Sequence, residues 1–256
     1  MPVANFLLRV FIVLLCAFMP LSGHAAHPLI TEDTGTQGQG HSQLELTSEH
    51  ATVRQGGVGQ QIALTTVAFS YGPVNSVDVI LAVPYLRLGN SVATAAPGTQ
   101  GPADPGFDLK WRFYESSQVS LALKPGITFP SGDDTRNLGA GKYTWSTYVT
   151  ASYATAPWIW HLHLGYVRHN NTFNKRVNIW HASAALVRHV GDTLRFILDT
   201  GIDTNTDRSA ASDPTFLITG FIYSPHRNVD IDVGYKLEST ESWCARTLLA
   251  GVTRRW

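Results

Sequence analysis

"GFDLKWRFYE", residues 106–115, places Asp108, Lys110, Arg112 and Tyr114 on one parity and Phe107, Leu109, Trp111 and Phe113 on the other. Successive side chains of a strand point to opposite faces, so this ribbon has one oily face and one charged face. The alternation predicts a strand and leaves two environments open. A soluble sandwich would turn the aromatics inward, whereas a membrane barrel would turn them outward to lipid and line its lumen with the charges.

The same alternation recurs along the chain. In "VDVILAVPYL" (77–86) the oily parity is Val77, Val79, Leu81, Val83 and Tyr85; in "WIWHLHLGY" (158–166) it is Trp158, Trp160, Leu162, Leu164 and Tyr166. About twelve such segments run from residue 43 to the end, centred on 43–51, 60–71, 77–86, 107–115, 119–129, 143–154, 158–169, 177–188, 193–203, 215–224, 228–238 and 247–256. Their length of about ten residues suits a tilted strand crossing a bilayer. Long polar links alternate with tight ones: "TVRQGGVG" then "GPVNS", "PSGDDTRNLGAGK" then "TAPW", "TNTDRSAASDP" then "PHR", with "STESWCAR" leading into the final segment. Long loops at one end and short turns at the other are the habit of outer-membrane barrels, and a soluble sandwich has no reason to keep one end short. The expected fold is all-β: a transmembrane antiparallel up-and-down barrel of about 12 strands.

On this reading the opposite parity faces the lumen. It carries Asp108, Lys110, Arg112, Lys124, His161, His163, His181, Arg195, Asp199, Asp230, Asp232 and Lys236, which are expected to line a pore, solvated by its water. Unpaired in a sandwich core, each of these charges would be costly.

Composition agrees. Charged residues make up 15% of the chain and aromatics 11%, a balance with little water-facing exterior. The 19 basic and 19 acidic residues cancel, leaving no electrostatic footprint for nucleic acid. The first residues, "MPVANFLLRVFIVLLCAFMPLSGHAAHPL", carry Arg9, an apolar run to about Met19, Pro20 and a small-x-small site at Gly23-His24-Ala25. They predict a signal peptide over 1–25, a periplasmic N-terminal segment over 26–42 and a barrel over 43–256. Cys16 lies in the apolar run without a small residue before it, which speaks against a lipoprotein. After cleavage Cys244 is the sole cysteine, so no intramolecular disulfide forms. The closing "LLAGVTRRW" sets Trp256, Val252, Ala250 and Leu248 on one parity, resembling the carboxy-terminal signal read by the barrel-assembly machinery. Arg254 shares that lipid-facing parity, where it can snorkel at the rim.

"HPLITEDTGTQGQGHSQLEL" (27–46), "PYLRLG" (84–89), "LALKPGITFPSGDD" (121–134) and "LDTGIDTNTD" (198–207) resemble the bacterial outer-membrane barrel family named for the meta-pathway of phenol degradation. The resemblance covers nearly all of the expected mature chain. It implies a channel or transporter in the outer membrane, often encoded near genes for aromatic catabolism, and brings no catalytic residues with it.

Other chemistries leave thinner traces. His161 and His163 share a strand face and His181 matches them on the next strand, but no carboxylate or cysteine has the spacing to complete a metal site around them. Of the acidic runs at 131–134, 203–207 and 228–233, "DTNTD" lacks the glycine and terminal glutamate of a calcium loop and Asp230 and Asp232 share a lumen parity, so they read as loops and pore lining. Ser183 with His181 or His163 could be drawn as nucleophile and base, yet no flanking motif of a barrel hydrolase surrounds it. The expected activity is therefore non-enzymatic and needs no cofactor: passive passage of small solutes, aromatic or hydrophobic catabolic substrates among them, through a barrel held in outer-membrane lipid. The alternative from another class is a non-conducting adhesion or assembly barrel working through loops 88–105 and 130–142.

Overall fold

The computed structural model describes residues 27–90 and 98–256; the expected signal peptide and Cys16 lie outside the described residues. The strands are β1 Ser42–Gln55, β2 Val58–Val74, β3 Val77–Asn90, β4 Thr99–Pro102, β5 Gly106–Glu115, β6 Val119–Thr128, β7 Thr144–Thr155, β8 Trp158–His169, β9 Asn178–Val190, β10 Leu194–Asp203, β11 Thr215–His226, β12 Val229–Ser239 and β13 Trp243–Arg255. Neighbours in sequence pair antiparallel, β1 pairs with β13, and the β2–β3 pairing completes the ring. The result is a closed twelve-stranded barrel, as the alternation predicts. The thirteenth segment adds no stave: β4 pairs with Tyr85–Leu88 of β3 and β5 pairs with Val77–Ala82, so the two are one wall strand broken at Ala103–Pro105.

Among the described residues every spanning strand pairs on both sides, as a bilayer requires, and only the short β4 is paired on one side alone. The oily parity is outside. Leu162 and Leu164 are 59% and 62% exposed, while His161 and His163 between and beside them are 7% and 1% exposed. Trp111, Phe113, Trp160, Trp180 and Trp145 are likewise on the outer surface. In water such a band would forfeit about 1.5–3 kcal/mol for each large side chain, whereas hydrocarbon accepts it.

The links at the end that holds both barrel termini are two or three residues: 75–76, 116–118, 156–157, 191–193 and 227–228. At the other end two expected long links turn out short. "TVRQGGVG" is almost all strand, because Gln55 pairs with Val58 and only Gly56 and Gly57 turn, at φ +54° and +80°. Two consecutive positive φ values make the tight hairpin turn that suits strand twist, and glycine adopts them without a Cβ penalty. "STESWCAR" likewise gives Trp243 onward to β13.

Candidate functional site

Residues 27–41 do not stay outside the barrel. From Ser42 at the short-turn end the chain runs back into the lumen, and Leu29, Thr31, Glu32 and Thr34 are buried there against the inner wall. Glu32 is the hub. Its carboxylate accepts from Lys124 Nζ at 3.2 Å and lies 3.4 Å from Lys110 Nζ, which also donates to Asp33 at 2.9 Å. Burial opposes ionisation of Glu32, but the ammoniums of Lys124 and Lys110 prevail and hold its carboxyl below the usual range. Asp108 lies 3.9 Å from Lys124 on the far side. Desolvating an ion costs several kcal/mol, so the two inward lysines need this counter-charge if the lumen is filled by chain.

The remaining contacts tie the segment along its length. Asp78 accepts the Gln37 amide at 3.0 Å, Thr34 Oγ1 donates to Ser152 Oγ at 3.0 Å, and His27 Nδ1 pairs with Asp232. Burial disfavours the His27 imidazolium, yet the hydrogen bond and charge of Asp232 raise its pKa above the ordinary histidine value. Room for the turn at 27–28 comes from inward glycines on three adjacent strands. A Cβ on Gly234 would stand 2.9 Å from Pro28, and one on Gly251 would stand 2.8 Å from His27 Nδ1. Leu29 packs on Ile197, Ile218, Ile222, Phe216 and Leu249, an apolar sector of the inner wall.

Of the expected lining, Lys110, Lys124, His161, His163, His181, Asp199, Asp230, Asp232 and Lys236 are buried within the barrel. They fall into separate groups of contacts. Lys110, Lys124, Asp199 and Asp232 meet the N-terminal segment. Asp230 instead joins Arg195 at 2.8 Å and Arg255 at 2.9 Å toward the short-turn rim, where Arg112 pairs with Glu115 at 3.2 Å. Lys236 pairs with Glu238 at 3.4 Å. Trp256 sits on the outer surface beside Phe69, and its backbone bonds to Ser42 across the closing seam.

The histidines separate. His161 bonds Ser152 at 2.8 Å, while the rings of His163 and His181 approach to 5.0 Å. Among the described residues no group of three or more His, Cys, Asp or Glu is arranged to hold a metal ion. His181 has two partners, Asp203 on Nδ1 and Ser183 on Nε2, both at 2.8 Å. Serine, imidazole and carboxylate thus align as in a hydrolase triad. The Ser183 hydroxyl is covered, however: Thr31 Oγ1 lies on it at 2.7 Å and the residue is buried.

Toward the long-loop end the inner wall changes character. Val53, Ile62, Leu64, Leu86, Leu138 and Val167 line a chamber of about 120 Å³, together with polar residues that include Glu49, Asp104, Tyr148, His169 and Lys236. Loop 129–143 folds in as part of this lining, held by Asp104, which accepts the amides of Gly132 at 2.8 Å and Ala140 at 2.7 Å. Parity alone did not reveal this chamber or the inserted segment. The signal for the segment was present in two lysines of the inward face and in the stacked inward glycines.

A closed, lipid-banded barrel with a lumen and a segment drawn into it has the fold of an outer-membrane channel. It superposes on the COG4313 outer membrane channel from Pseudomonas putida F1 with a TM-score of 0.72 at 13% identity, covering 88% of this chain and 98% of that one. The NanC porin matches at TM-score 0.58 and 12% identity, over 82% and 98% of the two chains. The CymD monoaromatic hydrocarbon channel matches at 0.50 and 9%, over 86% and 89%. Residues 31–246 match the model of the MetA-pathway of phenol degradation family, and the chain belongs to that family. No curated protein matches in sequence.

Proposed function

We propose that this barrel lets small, largely apolar solutes of about one aromatic ring cross the outer membrane by diffusion, with the long-loop chamber as their resting place. The observation that carries this reading is the chamber: its 120 Å³ is close to the roughly 150 Å³ of an apolar cavity that takes benzene. Its lining sets aliphatic side chains beside hydroxyl, imidazole and charged groups that can orient a hydroxyl. The fold shared with CymD, a monoaromatic hydrocarbon channel, and the phenol pathway for which the family is named support the same solute class. The N-terminal segment occupies the lumen at Glu32, where it pairs with Lys124 and Lys110 of the wall, and this speaks against a general porin. On this reading the protein works in outer-membrane lipid after export and insertion by the assembly machinery through its Trp256 end, and it performs no catalysis.

Flux into proteoliposomes tests the proposal. Phenol and toluene should enter faster than through protein-free vesicles, with arabinose excluded, and Leu86→Asp should abolish the difference. Equal entry of arabinose and phenol, or no protein-dependent entry of either, would overturn it.

A further inference from the structure

One row of side chains joins the N-terminal segment to the wall: Asp203 Oδ1, His181 Nδ1 and Nε2, Ser183 Oγ, Thr31 Oγ1 and Asp199 Oδ1. Its four contacts measure 2.8, 2.8, 2.7 and 2.5 Å. Each contact needs one proton between its heavy atoms. A neutral imidazole supplies one, and the two hydroxyls supply one each, so the row is one proton short when both carboxyls are ionised. Without a fourth proton, on the imidazole or on a carboxyl, two lone pairs must face each other at hydrogen-bond distance somewhere along it.

Four of the five residues sit on the paired strands β9 and β10 and are held by the ladder, with His181 directly opposite Asp203. Thr31 alone belongs to the inserted segment. We propose that docking of residues 27–31 in the lumen takes up a proton into this row, so that the amino-terminal half of the segment is a proton-held strap hinged on the Glu32 ion pairs. Linkage then fixes the sign. The docked state binds one more proton than the released state, so docking weakens by up to tenfold per pH unit as long as the docked row keeps a proton that the released state has lost, and levels off once the docked row loses it too.

The second contact of the strap acts in the same direction. His27 is paired with Asp232 and faces Glu45 and Glu49; its pKa is raised on docking, so its contribution is full below the ordinary histidine value and fades as pH rises through the raised one. The row itself is faced by His163 from β8, by Tyr148 from β7, by Glu32 and its partner Lys124, and by Lys236 with Glu238 from β12. The hinge side differs, because Glu32 is held below the usual carboxyl range and stays paired through neutral pH.

The strap is read by a nitroxide attached at Ile30→Cys in the Cys244→Ser background, in vesicles of neutral lipid, from pH 5.5 to 9.5. The label should be immobile at pH 5.5 and gain a mobile component as pH rises. Thr31→Val removes the hydroxyl that creates the proton deficit, leaving Asp203, His181 and Ser183 satisfied by two protons. It should show mobility already at pH 5.5 and keep only the response due to His27, which His27→Gln then removes. Thr31→Ser restores the hydroxyl and the full response, which separates the proton row from mere packing. A wild-type spectrum constant across the range, or an undiminished pH response in Thr31→Val, would overturn the proposal. The readout is motion of the strap, so it stands or falls apart from the solute that crosses.

Discussion

Around Lys124 the barrel interior is charged and packed with the N-terminal segment, whereas around Leu86, Leu138 and Val167 it is apolar and left as a chamber. Both regions are built on inward-facing positions of the same strands: β8 contributes His163 to the first and Val167 to the second. The difference teaches that lumen parity fixes a direction and not a polarity. What an inward position must be depends on whether chain, water or cargo meets it at that depth.

The largest effect should come from the charged region. Glu32→Ala removes the carboxylate shared by Lys110 and Lys124 without touching the wall, and should cost segment docking about 3 kcal/mol. That is the low end for a buried pair, since water entering the vacated lumen resolvates the lysines. Hydrogen exchange of amides 27–37 reports it. Adding Lys124→Met should recover part of the loss, and strict additivity of the two changes would show that the pair is not coupled.

Next comes the outer face, which sharpens the comparison by holding depth constant and changing side. Leu162→Arg places a charge on the lipid side of the wall beside His161 and His163, and should destabilise the folded barrel by about 2–4 kcal/mol in a denaturant titration in vesicles. A barrel indifferent to that charge would mean that this face meets water.

Gly234→Leu tests the groove that admits the segment. Its Cβ alone would crowd Pro28 at 2.9 Å, and overpacking of this kind costs about 1–3 kcal/mol. The turn at 27–28 should lift while the Glu32 pairs hold, so exchange should rise for the amides of 29–31 and stay slow at Gln37. Uniform loosening from 27 to 37 would make the segment one unit with no hinge.

The wall of this molecule was legible in its sequence because strand parity repeats every two residues, and lipid punishes every error in it. The twelve staves, the outward Trp111 and Trp160 and the inward lysines all follow from that alternation. Its contents were not legible. Glu32 meets Lys124 across 92 positions, and no local period links them. The break between β4 and β5 is equally silent, because "GPADPG" reads as loop whether it leaves the wall or merely interrupts it. Inward glycines at 220, 234 and 251 were the readable trace of the segment: they fall on adjacent strands and leave a trough that something must fill.

The smallest effect should fall on the apolar chamber. Loop 129–143 is held over it by Asp104, whose two oxygens accept the amides of Gly132 and Ala140. Asp104→Asn keeps one carbonyl acceptor and turns the other oxygen into a donor facing an N–H, so one bond is lost and its charge assistance with it. The cost should be about 1 kcal/mol, a roughly fivefold rise in loop opening. Trypsin cleavage after the exposed Arg136 should quicken by that factor, while the Glu32 region, on the far side of the chamber, keeps its exchange rates. If loosening the loop also freed the segment, the two halves of the lumen would be one cooperative body, and the contrast between a filled waist and an open chamber would lose its mechanical meaning.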